Sequence, residues 1–202
     1  MHENKNMLPE WDSAINLLKE GNKAEALFLF RRMVMDNRYS ALVEIGNIYE
    51  MPSCENIDQN FEKAAAFYRK SIVKADDVYG YRALGRLYYF GVGVEQNFKK
   101  AFELFTEASK QGCMVSDLMQ ARMYKFGQGV PKNINLARNS YSLAIGKGSY
   151  VALKERGWFD MQEGRLFSGL KDFLRGSYNM FKIIKSDMTK YGFLLDERAK
   201  EQ

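Results

Sequence analysis

The sequence predicts an all-α protein built from repeated helical hairpins. Three observations carry this. A set of residues recurs at a shift of 36 positions, as from Gly85 to Ala121. Each recurring unit holds a small–large–small pattern at helical spacing. Only three prolines, Pro9, Pro52 and Pro131, interrupt the 202 residues, leaving long stretches free of a helix breaker.

The repeat is clearest in the middle of the chain. The shift that carries Gly85 to Ala121 also pairs Tyr88 with Tyr124, Gly91 with Gly127 and Gly93 with Gly129. It continues through Val94 and Val130, Asn97 and Asn133, Ala101 and Ala137, Phe105 and Tyr141, Ala108 and Ala144, and Gly112 and Gly148. An earlier copy holds Gly46, Tyr49, Ala64, Tyr68 and Ser71, with a loop two residues longer and Pro52–Ser53 in place of the paired glycines. Shorter-loop copies lie at the ends. Ala14, Gly21, Ala26, Phe30 and Met33 match Gly157, Gly164, Gly169, Phe173 and Gly176 step for step. The last copy is the most degenerate, and its interior glycines weaken its helix. The predicted units are about 8–36, 39–75, 79–112, 115–148 and 150–182, in a single repeat domain over 1–202. A further helix, about 187–200, is expected to start at Ser186 or Asp187 and to cap the array through Met188, Tyr191 and Leu195.

In the second segment of each unit, sets such as Ala101–Phe105–Ala108 share one helix face, so a neighbour can approach the small residues while the aromatic fills the space beside them. The first segments carry their own small position at Ala14, Gly46, Gly85, Ala121 and Gly157. A glycine inside a helix costs about 1 kcal/mol against alanine, so its recurrence implies that close packing offsets the cost. Gly91 and Gly93 supply the conformations that stop one helix and reverse the chain. Asn97 and Asn133 stand where they cap the next helix, and Gly112 and Gly148 where they end it. The glycine pairs are not a phosphate loop, since no strand precedes them and the third glycine is missing. Tyr88, Tyr124, Phe105 and Tyr141 are expected in the core.

Composition narrows the function. Hydrophobic residues are 46% and charged residues 27%, which suits a globular chain. No apolar run is long enough to cross a bilayer, and no export signal is visible at the N-terminus, so a cytoplasmic protein is expected. His2 is the sole histidine, which excludes triads of the Ser/His/Asp or Cys/His kind. Two cysteines, Cys54 and Cys113, in unlike contexts read as reduced thiols, and no metal site or cofactor is expected. The net charge of +5 fits either an ordinary basic surface or an acidic partner.

The stretch Ala83–Val94, reading A-L-G-R-L-Y-Y-F-G-V-G-V, followed by Asn97, Lys100–Ala101, Phe105, Ala108 and Gly112, resembles the Sel1-like repeat. The end units are similar to tetratricopeptide repeats, and the resemblance covers about residues 8–180. It implies a right-handed α-solenoid of about five hairpins, with a concave surface lined by first helices and a role as an adaptor that holds protein partners. Some secreted members carry a disulfide in each repeat, a pattern that Cys54 and Cys113 do not follow.

If the resemblance holds, exposed positions around each small residue project into the concave groove. These are Arg82, Arg86 and Tyr89, then Leu118, Arg122 and Lys125, with Asn47, Glu50, Lys154 and Trp158 on the flanking units. The groove therefore reads as a basic strip with interleaved aromatics, suited to a protein or acidic peptide. No acid stands between Tyr79 and Val94 to neutralise the first arginines, and Asp117 is the local acid near the second set. The expected function is non-catalytic protein–protein interaction, as adaptor or regulator. The alternatives are an immunity or inhibitor protein that sequesters a toxic effector, and a carboxylate hydrolase using Asp160 and Glu163. Membrane and small-molecule partners are not expected, and no repeated base-reading code points to nucleic acid.

A reduced, cytoplasmic chain should react with a thiol reagent at both Cys54 and Cys113 when unfolded without reductant. A quantitative intramolecular disulfide in that assay would reverse the cytoplasmic expectation.

Overall fold

A computed structural model describes residues 9–53 and 57–199, with side chains described as far as Lys185 except Ile184. Among the described residues ten helices run in order, α1 (Pro9–Lys19), α2 (Lys23–Met35), α3 (Ala41–Glu50), α4 (Phe61–Ala75), α5 (Val78–Phe90), α6 (Phe98–Lys110), α7 (Met114–Phe126), α8 (Ile134–Gly146), α9 (Tyr150–Gln162) and α10 (Leu166–Ala199). Among the described residues there is no strand, only an isolated bridge residue at Ile57. Two compact units emerge, residues 1–116 with 127–131, and residues 117–126 with 132–202.

In the first unit, α1 packs on α2, α3 on α4 and α5 on α6, as hairpins do, and α2 meets α3 and α4 meets α5 in turn. Ala14, Phe30, Met33, Ile45, Ile48, Ala64, Tyr68 and Leu87 lie at 1% exposure or less, in one continuous apolar core. The small first-helix position has a definite job. A Cβ added at Gly85 falls 2.9 Å from the Phe105 ring, and one at Gly46 collides with the Tyr68 ring. The aromatic of the second helix thus lies flat against the backbone of the first, and the glycine's helix cost is offset by that contact.

The loops close in a repeated way. The Asn60 amide donates to the Tyr49 carbonyl at 2.8 Å and the Asn97 amide to the Tyr88 carbonyl at 2.9 Å. Their side chains then cap α4 and α6 by accepting from the Lys63 and Lys100 amides at 2.8 and 2.9 Å. The longer loop of the earlier copy is spliced between the same two anchor residues, which is why it leaves the hairpin intact. Gly91, at φ +68°, ends α5 in the left-handed conformation. Gly93 does more than reverse the chain. A Cβ there runs into the Phe61 backbone, with the carbonyl oxygen 2.6 Å away, so the loop of one repeat rests on the first residue of the preceding repeat's second helix. Gly129 rests on the Phe98 backbone in the same way.

In the second unit, Asn133 donates to the Tyr124 carbonyl at 2.9 Å and caps α8 through the Leu136 amide at 3.0 Å, while Ser149 caps α9. Ala121, Ala137, Tyr141, Ala144 and Phe159 are buried. Where the sequence reads as degenerate, α9 and α10 are in closest contact. A Cβ at Gly157 meets the Gly169 carbonyl oxygen at 2.6 Å, one at Gly169 meets the Met161 amide at 2.7 Å, and one at Gly176 meets the Lys154 amide at 2.7 Å. Bare backbone lies against bare backbone along this seam. The interior glycines are therefore the condition for the contact and not a flaw in the helix.

The expected separate capping helix is corrected. α10 runs unbroken for 34 residues through Ser186 and Asp187, so neither residue starts a new helix. No proline or turn glycine separates the two stretches, and nothing in the sequence stops propagation. The expected contacts of Met188, Tyr191 and Leu195 lie outside the described side chains.

Replacing Gly157 or Gly169 by alanine should destabilise the protein by roughly 1–3 kcal/mol, because the new methyl must displace backbone. Gly146→Ala is the matched control. It lies on α8, its Cβ meets nothing within 4 Å, and it should leave stability unchanged or raise it by up to about 1 kcal/mol. Denaturant melts measure all three. Ala101→Leu and Ala137→Leu, at fully buried positions, should each cost roughly 1–3 kcal/mol by overpacking, read as a lowered denaturation midpoint.

Candidate functional site

The candidate residues divide between the two compact units. In the first, α5 carries Arg82, Arg86 and Tyr89. Arg86 pairs with the carboxylate of Glu50, at the end of α3. The Tyr68 hydroxyl lies 2.8 Å from the same carboxylate and 2.9 Å from Asn47 Oδ1, and donates to one of them at a time. Burial, then the Glu50 charge, pushes the Tyr68 hydroxyl above the ordinary tyrosine range, so it stays protonated as a donor. Tyr89 is also occupied. Its hydroxyl donates to Gln128 Oε1 at 2.8 Å, and its ring lies edge-on to Phe90 and Phe98. Arg82 lies over the Tyr79 ring, 5.5 Å from its centre.

In the second unit α7 carries Leu118, Arg122 and Lys125, and α9 carries Lys154 and Trp158. Arg122 grips Glu155 of α9 with two nitrogens, Nε standing 3.0 Å from Oε2. The Tyr141 hydroxyl reaches Oε2 of the same carboxylate at 3.3 Å. Tyrosine, glutamate and arginine thus form one trio in each unit, Tyr68–Glu50–Arg86 and Tyr141–Glu155–Arg122. The expectation of open arginines is corrected in both places. The neutralising acid comes from another repeat's first helix, a neighbour that local sequence does not reveal. Asp117, expected near Arg122, is fully buried and accepts from Lys147 at 2.6 Å.

Leu118 is the other correction. It is 8% exposed and belongs to the buried face of α7, so it presents no docking surface. Its apolar side chain is hidden as apolar side chains usually are. Tyr88, expected in the core, is half-buried and borders a cavity of about 550 Å³ in the first unit, beside Arg69 and Lys100.

Arg122, Lys125, Lys154 and Trp158 do come together, around a cavity of about 560 Å³ in the second unit. Its apolar walls are Phe126, Val151, Trp158, Phe173 and Met180. Trp158 is 52% exposed, with its ring 6.1 Å from Phe173. The Lys125 ammonium lies 4.9 Å from the centre of the Phe159 ring and 5.1 Å from that of Phe126, and burial lowers its pKa from the ordinary lysine value. The Lys154 ammonium lies 5.7 Å from the centre of the Phe173 ring. Such distances favour cation–π attraction. Neither lysine forms an ion pair among the described residues.

Phe173 and Met180, the α10 wall, were missed as site residues. The signal was present in Gly169–Phe173–Gly176, whose small–large–small spacing places Phe173 against α9. The carboxylate pair suggested for hydrolysis is not assembled as an acid–base pair. Asp160 accepts from Arg138 at 2.7 Å in a largely buried ion pair, and Glu163 is exposed at the end of α9. Among the described residues no helix is long and apolar enough to cross a membrane.

The comparisons agree with this architecture. Residues 40–72, 78–113 and 121–149 match the Sel1 repeat. The crystal structure of c5321, a protective antigen of uropathogenic Escherichia coli strains displaying an SLR fold, superposes with a TM-score of 0.71 at 23% identity. The match covers 85% of this chain but 38% of that one, so this chain spans well under half of that protein. A Sel1 repeat protein from Oxalobacter formigenes superposes with a TM-score of 0.72 at 20% identity, covering 85% of this chain and 69% of that one. No curated protein matches the sequence. With three matched repeats and the same all-α repeat fold as these structures, the chain belongs to the Sel1-like repeat family.

Proposed function

We propose that the second unit holds a segment of a partner protein in the cavity between α7, α9 and α10, as a non-catalytic interaction module. Sel1 repeats are generally non-catalytic and generally mediate protein–protein interaction. The observation that carries the finer reading is the state of the two lysines. Lys125 and Lys154 border an aromatic-walled cavity, their ammonium groups lie over ring faces, and neither makes a salt bridge among the described residues, although Glu155 and Glu163 act on Lys125 from further off.

A partner segment with an acidic side chain next to a bulky apolar one matches both features. The carboxylate replaces water at the ammonium groups, and the apolar group covers Trp158 and Phe173. Aromatic anchors of this kind dominate binding energy where a pocket is desolvated. The arginines play a different part. Arg122 is committed to Glu155 and holds α7 against α9, so it shapes the wall without offering a free charge.

A tagged pull-down identifies the partner, and titration calorimetry then compares variants. The double change Lys125→Gln with Lys154→Gln should weaken binding more than tenfold and leave the helical melt nearly unchanged, since it sets no new carboxylate beside Glu155 and Glu163. The matched change of exposed lysines on α6, Lys99→Gln with Lys110→Gln, should do little. Arg122→Glu should instead lower the melting midpoint, because it sets two carboxylates against each other where a fork once closed. Equal binding by the Lys125/Lys154 variant would remove the cavity as the recognition site.

A further inference from the structure

The face of α10 turned away from α9 is a second surface that the cavity does not use. Gly169, Phe173 and Gly176 mark the packed face, since their backbone or side chains meet α9. At about 100° per residue, Phe167, Leu170, Leu174 and Phe181 fall on the other side, within an arc of about 60°. They are 93%, 47%, 56% and 63% exposed. Tyr178, 65% exposed, borders the same stripe. Steps of three, four and seven are the spacing of a helix–helix seam, with Ser177 at the one polar seam position. In the sequence the spacing continues at Ile184, Met188, Tyr191 and Leu195.

Width and charge decide the occupant. A bilayer-surface helix carries a broad apolar face, whereas a narrow stripe is the seam for one partner helix. Along one edge of the stripe run Lys171, Arg175 and Lys182, all exposed. Asp172, the sole acid from Leu166 to Lys185, is paired with Arg156. A second copy of this chain is a poor match. In an antiparallel pair, like edges meet and the cations face each other, and in a parallel pair the cationic edge meets the edge already covered by α9. We infer that the outer face of α10 docks an amphipathic helix of a partner protein, with an apolar seam flanked by carboxylates. This surface is independent of the cavity.

The test uses the full chain and two synthetic amphipathic helices with leucine at the seam, one flanked by glutamate and one by lysine, read by fluorescence anisotropy. The glutamate helix should bind at least tenfold more tightly than the lysine helix. Phe167→Ser with Leu174→Ser should weaken it at least tenfold without shifting the melt, since both side chains are exposed. Reversing Lys171, Arg175 and Lys182 to glutamate should invert the preference between the two peptides. Lys125→Gln with Lys154→Gln should leave the binding unchanged, which separates this surface from the cavity. Binding of neither peptide, or of both equally, overturns the inference. So does sedimentation showing that the seam pairs two copies of the chain, or capture by phosphatidylserine–phosphatidylcholine vesicles that the glutamate helix does not reverse.

Discussion

The contact on which the rest depends is an aromatic ring of the second helix laid against a bare stretch of the first. Tyr68 on Gly46 and Phe105 on Gly85 are its clearest forms. A side chain at either glycine would hold the helices apart, and the core of buried alanines around them would open. The same contact sets chemistry at the surface. The Tyr68 hydroxyl reaches Glu50 because its ring is seated on Gly46, and Glu50 in turn holds Arg86 from α5. Packing in one hairpin therefore fixes an ion pair to the next.

That chain of contacts explains which charges remain for a partner. An arginine beside a carboxylate that also accepts a tyrosine proton is one member of a mutually satisfied trio, and its charge is largely answered within the fold. Arg86 in the first unit and Arg122 in the second both end this way, so the arginine most conspicuous in each is structural. Lysine has no planar fork to match a carboxylate, and Lys125 and Lys154 rest instead on rings. Cation–π contact lowers the cost of partial burial without cancelling the charge. These side chains are therefore held in place, yet remain available to an anion.

Most of the fold was legible in the sequence, and the site only partly. The helical hairpins, the asparagine caps, the turn glycines and the burial of Phe105 and Tyr141 follow from periodicity within one unit, where neighbours in space are near in sequence. The identity of each arginine's partner does not, since Glu50 and Glu155 lie on other repeats and no periodic pattern pairs them with Arg86 and Arg122. Leu118 was misread for a related reason. Register relative to the small residue gives a direction around the helix, but depth depends on what lies beyond, which a single helix does not encode. Gly93 and Gly129 carried a signal read only halfway, as turn formers, because the backbone they touch is some thirty residues earlier.

The last hairpin shows how one composition reads as decay or as design according to its surroundings. Gly169 and Gly176 inside α10 are expensive in isolation, roughly 1 kcal/mol each. Against α9 they admit backbone contact at Gly157, Met161 and Lys154 that no alanine would allow. The closeness has a consequence on the opposite side of α10. A helix drawn tightly onto its neighbour covers a narrow face, and the bulky residues that do not fit there, Phe167, Leu170, Leu174 and Phe181, stay in solvent. Monomeric proteins seldom leave a contiguous apolar stripe of this kind uncovered. The glycines that tie α10 to the fold are thus the same residues that set its second face free for another helix.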